Sequence, residues 1–373
     1  MNRKKLINAI IACVVVLALC ISCAVVLEFT KKPDTTLQTD PTGSTGSTGA
    51  TQNSDPTTPS ETQPLPEEMR FTLTFVGDCT LGTMPSWEYL SGAYTNLIGN
   101  NYDLPFQYVR DIFQNDDCTF ANLESVFANE GTPEDKLFTF KGPTSYINIL
   151  TGSSVEAVNL ANNHSFDFGQ AGYDSTVQTL KDNAVEFVET NSTTLFTTAS
   201  GLKIGLYGIF YTPDIEDMKA DVAQLRADGA EIIIAAAHWG TEGAYHPTDE
   251  QTNWAHQLID AGVDIVWGHH PHVLQKIEEY NGGIIYYSLG NFSFGGNHDP
   301  RDRDTAILQQ EIVRAPDGTI SLGDLTIIPC ALSSQKDYND FQPIPLEKGE
   351  QYDRVLSKLD DTFPGPDLFV SYN

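Results

Sequence analysis

The stretch "EIIIAAAHW", residues 231–239, decides the fold. It is apolar at every alternate position and at the positions between. A strand here must therefore be covered on both faces, as in parallel sheets flanked by helices. It also ends on a histidine, and α/β sheets gather their ligands at the carboxyl ends of strands. Working outward, six more runs read as strands: "FTLTFVG" (71–77), "CTFAN" (118–122), "VEAVNL" (155–160), "KIGLYGIF" (203–210), "VDIVWG" (263–268) and "GIIYYSLG" (283–290). Helical patterns over 103–116, 169–183, 216–228 and 250–262 lie between them, the second with an apolar stripe at Val177, Leu180 and Ala184. Strands alternating with helices predict an α/β layer architecture. After about residue 305, "TAILQQEIV" and "SLGDLTIIP" add strands without comparable helices, which predicts an antiparallel closing section.

Nearly every strand of this series runs into residues that can bind metal or transfer protons. The ends are "GDCT" (Asp78), "ANLES" (Asn122, Glu124), "NLANNHSFDFG" (Asn162, Asn163, His164, Asp167), "AHWGTEGAYHP" (His238, Glu242, His246), "GHHPHV" (268–273) and "SLGNFSFG" (Asn291). A single Asp after a strand is usually a turn or cap residue, and a single His is usually a hydrogen-bonded structural one. Six such ends in one domain predict a shared polar site. Carboxylate, amide oxygen and imidazole form the mixed donor set preferred by Mn, Zn or Fe. No G-x-S-x-G elbow and no glycine-rich phosphate loop is present. Cys79 is a possible nucleophile, but no histidine is marked as its base. Metal-assisted chemistry is the leading expectation.

The "HPH" piece carries a geometric expectation. A residue before proline is pushed toward extended conformations, and in an extended chain positions i and i+2 face the same way. His270 and His272 should then converge on one side, and His269 should turn to the other in a supporting or structural role.

The ends of the chain add context. Arg3, Lys4 and Lys5 precede "LINAIIACVVVLALCISCAVVLEF", residues 6–29, which has no charge until Glu28. That run is long enough to span a bilayer, and its flanking charges keep residues 1–5 in the cytoplasm and the rest outside. The expectation is a single-pass signal anchor in the cell membrane with an extracytoplasmic C-terminal domain; a cleaved signal peptide is the competitor. Residues 30–69, rich in Thr, Pro, Ser and Gly, cannot bury enough apolar surface to offset ordering and read as a disordered tether. Residues 70–373 are then one domain. Three cysteines lie in the apolar run; Cys79, Cys118 and Cys330 allow at most one bridge. The formal net charge is −29, with no basic stripe outside the N-terminus, which argues against nucleic acid as a partner.

The ordered set "GD", "NLE", "LANNHxxDFG", "HWGxE", "GHHPHV" and "YSLGNF" resembles the bacterial capsule-synthesis CapA family, over about residues 71–295. The resemblance implies a calcineurin-like metallophosphoesterase fold: α/β, a layered sandwich of mixed β-sheets flanked by helices. Carried over position by position, it implies Asp78, Glu124, Asn163, His164, His238, His270 and His272 as ligands of one or more divalent ions. His238, Glu242 and Asp167 would serve catalysis, the last two by orienting water or imidazoles. Lys141, Arg303 and Asn291 would bind an anionic substrate. The implied partners are an anionic surface polymer such as poly-γ-glutamate and other capsule synthase subunits. The wider phosphoesterase pattern opens Asp-x-His, where this chain has Asp78-Cys79-Thr80, and its Gly-Asp-x-x-Asp motif is replaced by Asn122-Leu123-Glu124. Two functions follow: a membrane-anchored, metal-dependent hydrolase in capsule synthesis or processing, or a non-catalytic polymer-binding subunit of a synthase complex.

Overall fold

The computed structural model describes residues 67–368. The expected anchor at 6–29 and nearly all of the tether lie outside the described residues. Among the described residues, no helix is long and apolar enough to cross a membrane.

In chain order the first strands are β1 (Met69–Thr80), β2 (Cys118–Leu123), β3 (Val126–Phe127), β4 (Lys141–Gly142), β5 (Ala157–Asn159), β6 (Glu186–Val188), β7 (Thr193–Thr197) and β8 (Lys203–Phe210). They are followed by β9 (Ile232–His238), β10 (Ile265–His269), β11 (Ile277–Tyr280), β12 (Gly283–Tyr286), β13 (Asn291–Phe294), β14 (Asp304–Arg314), β15 (Ile320–Ala331) and β16 (Ile344–Pro345). One sheet has the order β16-β15-β14-β1-β2-β5-β6, with β13 also pairing β1; the other runs β11-β12-β10-β9-β8-β7. Around β1 the first sheet is parallel toward β2, β5 and β6 and antiparallel toward β14 and β15. β8, β9, β10 and β12 run parallel, edged by antiparallel β7 and β11. Both sheets are mixed, and the closing section is antiparallel as its sequence suggests.

The two-sided apolarity of residues 231–239 has a direct structural counterpart. Ile232, Ile234 and Ala236 join Leu73, Phe75, Phe120 and Trp267 in a core between the two sheets. Ile233, Ala235 and Ala237 face the other way, against Met218, Val222 and Leu258 of the helices Ile215–Ala227 and Asp249–Asp260. Each buried isoleucine, leucine, valine or methionine among these contributes roughly 1.5–3 kcal/mol by leaving water. A third cluster on the outer face of the first sheet holds Cys79, Leu123, Val158 and Leu180, the last from the helix Gly169–Asp182. The layers are therefore helix, sheet, sheet, helix.

Three local expectations change. The pattern over 103–116 yields turns and only one helical turn, Arg110–Phe113, because Pro105 disfavours helix at the residue before it. Val177 and Leu180 face the core as expected, but Ala184 lies beyond the helix end with φ 53°. The closing section also carries a helix, Glu350–Leu359, that the strand-like pattern did not signal. Cys79, Cys118 and Cys330 are all free and buried.

Candidate metal centre

Parallel pairing brings the polar strand ends into one place. Asp78 is in register with Asn122 of β2 and with Asn291 of β13, and Asn122 with Asn159 of β5. In the second sheet His238 of β9 is in register with His269 of β10. The sheets are tied at this end by the Trp267 indole, whose Nε1 donates to the Val76 carbonyl at 3.0 Å. Gly77 lets β1 and β13 close up, since a Cβ there would sit 2.0 Å from the Gly290 carbonyl oxygen. The Asp78 amide donates to that same oxygen at 2.8 Å, fixing the position of its carboxylate.

Six acidic and imidazole side chains converge. Ligand atoms of Glu124, His238 and His270 lie within 4.8 Å of one another, as do those of Glu242, His270 and His272, and those of Asp78, Glu124 and His272. The three groups share members, so they form one continuous cluster. Asp78, Glu124 and His238 are fully buried. The Asp78 carboxylate takes a hydrogen bond from Asn122 Nδ2 at 2.8 Å and stands 3.2 Å from His269 Nδ1 and 3.1 Å from His272 Nδ1. Asn122 Oδ1 is held in turn by the amides of Asn159 and Asn162, at 2.9 and 3.2 Å.

The ionisable groups of this cluster perturb one another strongly. Burial would raise the Asp78 carboxyl, but hydrogen bonds from His269 and His272 outweigh it and hold it well below the usual range. Burial, reinforced by the neighbouring Asp78 charge, pushes Glu124 well above its usual value. Burial and the nearby His270 drive His238 well down, while His270 itself falls to about 4 through burial and its neighbour His272. Against its own burial, His272 is raised to about 10 by Glu124 and Asp78. Both Glu124 oxygens, His238 Nε2, His270 Nδ1 and Asn163 Oδ1 are buried without a hydrogen-bond partner among the described residues. Buried polar atoms are ordinarily satisfied. The unsatisfied Glu124, His238 and His270 side chains, whose ligand atoms lie within 4.8 Å of one another, fit a divalent cation.

Other expected residues occupy supporting or distant positions. Asp167 is fully buried; its carboxylate accepts from His164 Nδ1 at 2.8 Å and from the Phe140 amide at 2.5 Å, and pairs with Lys136. It orients His164 rather than reaching the cluster. Asn291 Oδ1 is 2.9 Å from His272 Nδ1 and so fixes that ring. Glu242 joins the metal-ligating cluster itself. Lys141 turns its ammonium onto the Phe168 ring, 5.0 Å from the centroid, and does not line the cavity described below. Arg303 is also elsewhere: its guanidinium donates to the carbonyls of Gln335, Lys336 and Tyr338 and pairs with Asp299. His246 pairs with Asp361 on the surface. Cys79 points into the outer core, its thiol pushed up by burial, because strand alternation puts it on the face opposite Asp78.

The "HPH" conformation is corrected, although its consequence is not. His270 and His272 have φ of 93° and 56°, in the left-handed region rather than extended. Their rings nevertheless stand 5.9 Å apart over the same cluster. Such backbone costs about 1–3 kcal/mol per residue and persists where surrounding structure over-determines it. Tyr211, just past the end of β8, has φ 61° and meets His270 in an edge-to-face ring contact that has no signal in the sequence.

Beside the cluster lies a cavity of about 310 Å³, reached by His164, Glu242, His272 and Asn291, with Phe138, Phe140 and Phe294 as an apolar wall. Residues 72–296 match the family model "Bacterial capsule synthesis protein PGA_cap", well over half of the chain. The chain belongs to the bacterial capsule synthesis protein family. Membership ties it to bacterial capsule synthesis. Among similar capsule-family relatives are "PGA biosynthesis protein CapA" of Bacillus subtilis (strain 168), 31% identical over 66% of this chain and 68% of the relative. "Capsule biosynthesis protein CapA" of Bacillus anthracis is 27% identical over 66% and 65%. The chain thus spans about two thirds of the length of these capsule-family relatives. Similar solved structures include NAD nucleotidase (NadN) of Haemophilus influenzae, at a TM-score of 0.39, 13% identity, and coverage of 78% of this chain and 62% of that one. Another is purple acid phosphatase PPD1 of yellow lupin, at 0.32, 10%, 73% and 55%. These two likenesses are too distant to carry a functional argument.

Proposed function

We propose that this capsule-family domain is a metal-dependent hydrolase acting on an anionic cell-surface polymer such as poly-γ-glutamate, held at the outer face of the membrane by residues 6–29. The observation that carries the reading is the set of unsatisfied buried donors, Glu124, His238, His270 and Asn163, beside an open cavity. Asp78, Glu124, His238, Glu242, His270 and His272 would hold one or two divalent ions, with Asn163 and His164 adjoining. Such ions would supply Lewis-acid stabilisation of charge developing at the bond under attack.

The chain's own residues supply the remaining parts. Asp167 holds His164 by Nδ1, so Nε2 is the nitrogen left to hold or deliver a proton. Burial lowers the His164 imidazole, which keeps it neutral and able to accept a proton near pH 7. Asn291 and Asn122 lock His272 and Asp78 in place. The apolar wall limits water around a bound chain, which strengthens every charge interaction inside.

The test is metal analysis of the purified full chain, followed by assay on poly-γ-glutamate and on a phosphoester panel. The expected result is a stoichiometric divalent ion and turnover that falls at least about a hundredfold in His238→Ala and His270→Ala. Trace metal only, with activity unchanged in both variants, would sink the reading. A specific observation favours the second reading, a non-catalytic polymer-binding subunit: Thr80 stands where the wider pattern has an imidazole, so one nitrogen ligand of that pattern is missing. That reading expects polymer production in cells to survive both alanine substitutions.

A further inference from the structure

We infer that Tyr211 is a substrate-contacting residue, its hydroxyl donating to a main-chain carbonyl of the polymer on a side of the ion cluster that the cavity does not include. The inference rests on the hydrolase reading for the identity of the ligand. Its own evidence lies in the turn "FYTPD", residues 210–214.

β8 runs parallel to β9 with Phe210 in register with His238. Tyr211 is therefore the first residue past the carboxyl end of its strand, where ligands of such sheets gather. The chain reverses tightly there. The Thr212 amide donates to the Phe210 carbonyl at 3.0 Å, which with the φ of 61° at Tyr211 makes the strained form of a three-residue turn. A positive φ on a bulky aromatic residue is a true outlier, and it costs about 1–3 kcal/mol. Glycine would adopt this conformation without steric cost, yet the chain places a tyrosine in it. The turn is pinned at both ends. The Tyr211 amide donates to the His238 carbonyl at 2.9 Å, and Asp214 accepts from the Glu216 and Asp217 amides at 3.1 and 3.2 Å as it caps the helix Ile215–Ala227.

The strained turn sends the phenol ring to the cluster. Its centroid lies 5.6 Å from that of His270, edge to face, and 4.5 Å from that of Phe210, whose ring stands 6.1 Å from His238. Despite these contacts Tyr211 is 48% exposed, and among the described residues its hydroxyl makes no hydrogen bond. His270 separates it from the cavity: the His270 ring also stands 5.9 Å from His272, which lines the cavity, whereas Tyr211 and His270 do not. A cavity of about 310 Å³ holds one or two units of a flexible chain. A polymer cut within its length must then continue past the cluster, and Tyr211 is an exposed group held there. Partial burial and then the Glu242 charge raise the phenol, so it stays protonated and able to donate. The same acidic neighbour opposes a carboxylate at this point, so an uncharged amide carbonyl is the acceptor that fits. The ring offers its apolar body to the methylenes beside that amide.

The test uses the full chain, purified in mild detergent, with a synthetic γ-glutamyl dimer and a pentamer as probes. Binding is measured calorimetrically for wild type, Tyr211→Phe, Tyr211→Ala and Tyr108→Phe. Tyr108, exposed and outside the cavity lining, controls for loss of a hydroxyl elsewhere. Tyr211→Phe keeps the ring and should weaken pentamer binding about two- to tenfold, the worth of one hydrogen bond. The dimer, which the cavity alone can hold, should bind Tyr211→Phe as it binds wild type. Tyr211→Ala should lose more of the pentamer affinity, and Tyr108→Phe none. Bound metal and the thermal midpoint should be unaltered in Tyr211→Phe, which separates contact from folding. Equal pentamer binding by wild type and Tyr211→Phe overturns the inference, as does an equal loss for dimer and pentamer. A wild type that binds the pentamer through Tyr211 but never cleaves it refutes the hydrolase reading and leaves this inference standing. Cleavage by wild type with an unchanged KM in Tyr211→Phe does the reverse, and a wild type that binds no pentamer overturns both.

Discussion

At the scale of single residues, the site separates groups that reach the cluster from groups that hold those groups still. Asn291 belongs to the second kind through its 2.9 Å contact with His272 Nδ1. Asn291→Ala should weaken divalent-ion binding about 10- to 100-fold while leaving the ion-free thermal midpoint nearly unchanged, as read by equilibrium dialysis and scanning calorimetry. Asp116, near the start of β2, offers a separate check on burial. Its carboxyl is pushed up to about 7 by burial, against hydrogen bonds from Thr119 and Thr74. A folded pKa above the unfolded one means its favourable contribution is complete at acid pH and is lost as pH rises through about 7. Asp116→Asn should therefore raise the thermal midpoint at pH 8 by a few degrees, with little gain at pH 4. Residues such as Asp78, Glu124 and His238 were legible in the sequence because each sits at or just past the carboxyl end of its own strand. The position of Arg303 away from the cluster was not: it depends on the loop near residue 336, which is distant in the chain and leaves no local pattern.

At the scale of elements, the strand series read well and the helix it missed has a physical cause. "KIGLYGIF" is β8 to the residue, and "EIIIAAAHW" contains β9 within one residue at each end. Such strands are specified by local apolarity, whereas the helix Glu350–Leu359 is organised around buried charge. Its Lys358 is almost fully buried between Asp302 and Asp304. Lys358→Met should cost about 3–5 kcal/mol, because two buried carboxylates lose their partner, and urea denaturation will register it. Gly77 is a second constraint invisible to composition. Gly77→Ala forces a Cβ into the Gly290 carbonyl, a backbone atom that cannot swing away. A loss of about 3 kcal/mol or more is expected, together with weaker ion binding as β1 and β13 separate; a variant of wild-type stability would refute the close approach.

For the whole molecule, a cation bound to the folded state and absent from the unfolded one is a stabilising ligand. At a hundred times its Kd, an added divalent ion should stabilise the chain by about 2.7 kcal/mol. His238→Ala and His270→Ala should lose that increment, and exhaustive chelation should bring the wild type down to their level. The cavity invites a further consequence. Every candidate ion ligand lies within residues 72–296, the part that matches the family model. Part of the cavity lining does not: Arg301, Asp302 and Leu368 all come later in the chain. Leu368 is moored by its amide to the Gly243 carbonyl at 2.9 Å, and Asp367 accepts from the Tyr245 amide at 2.8 Å. The candidate ion site and part of the cavity beside it thus come from consecutive stretches of one polypeptide, bound together where β14 pairs β1, so exchanging the stretch after residue 296 would disturb the sheet that carries Asp78.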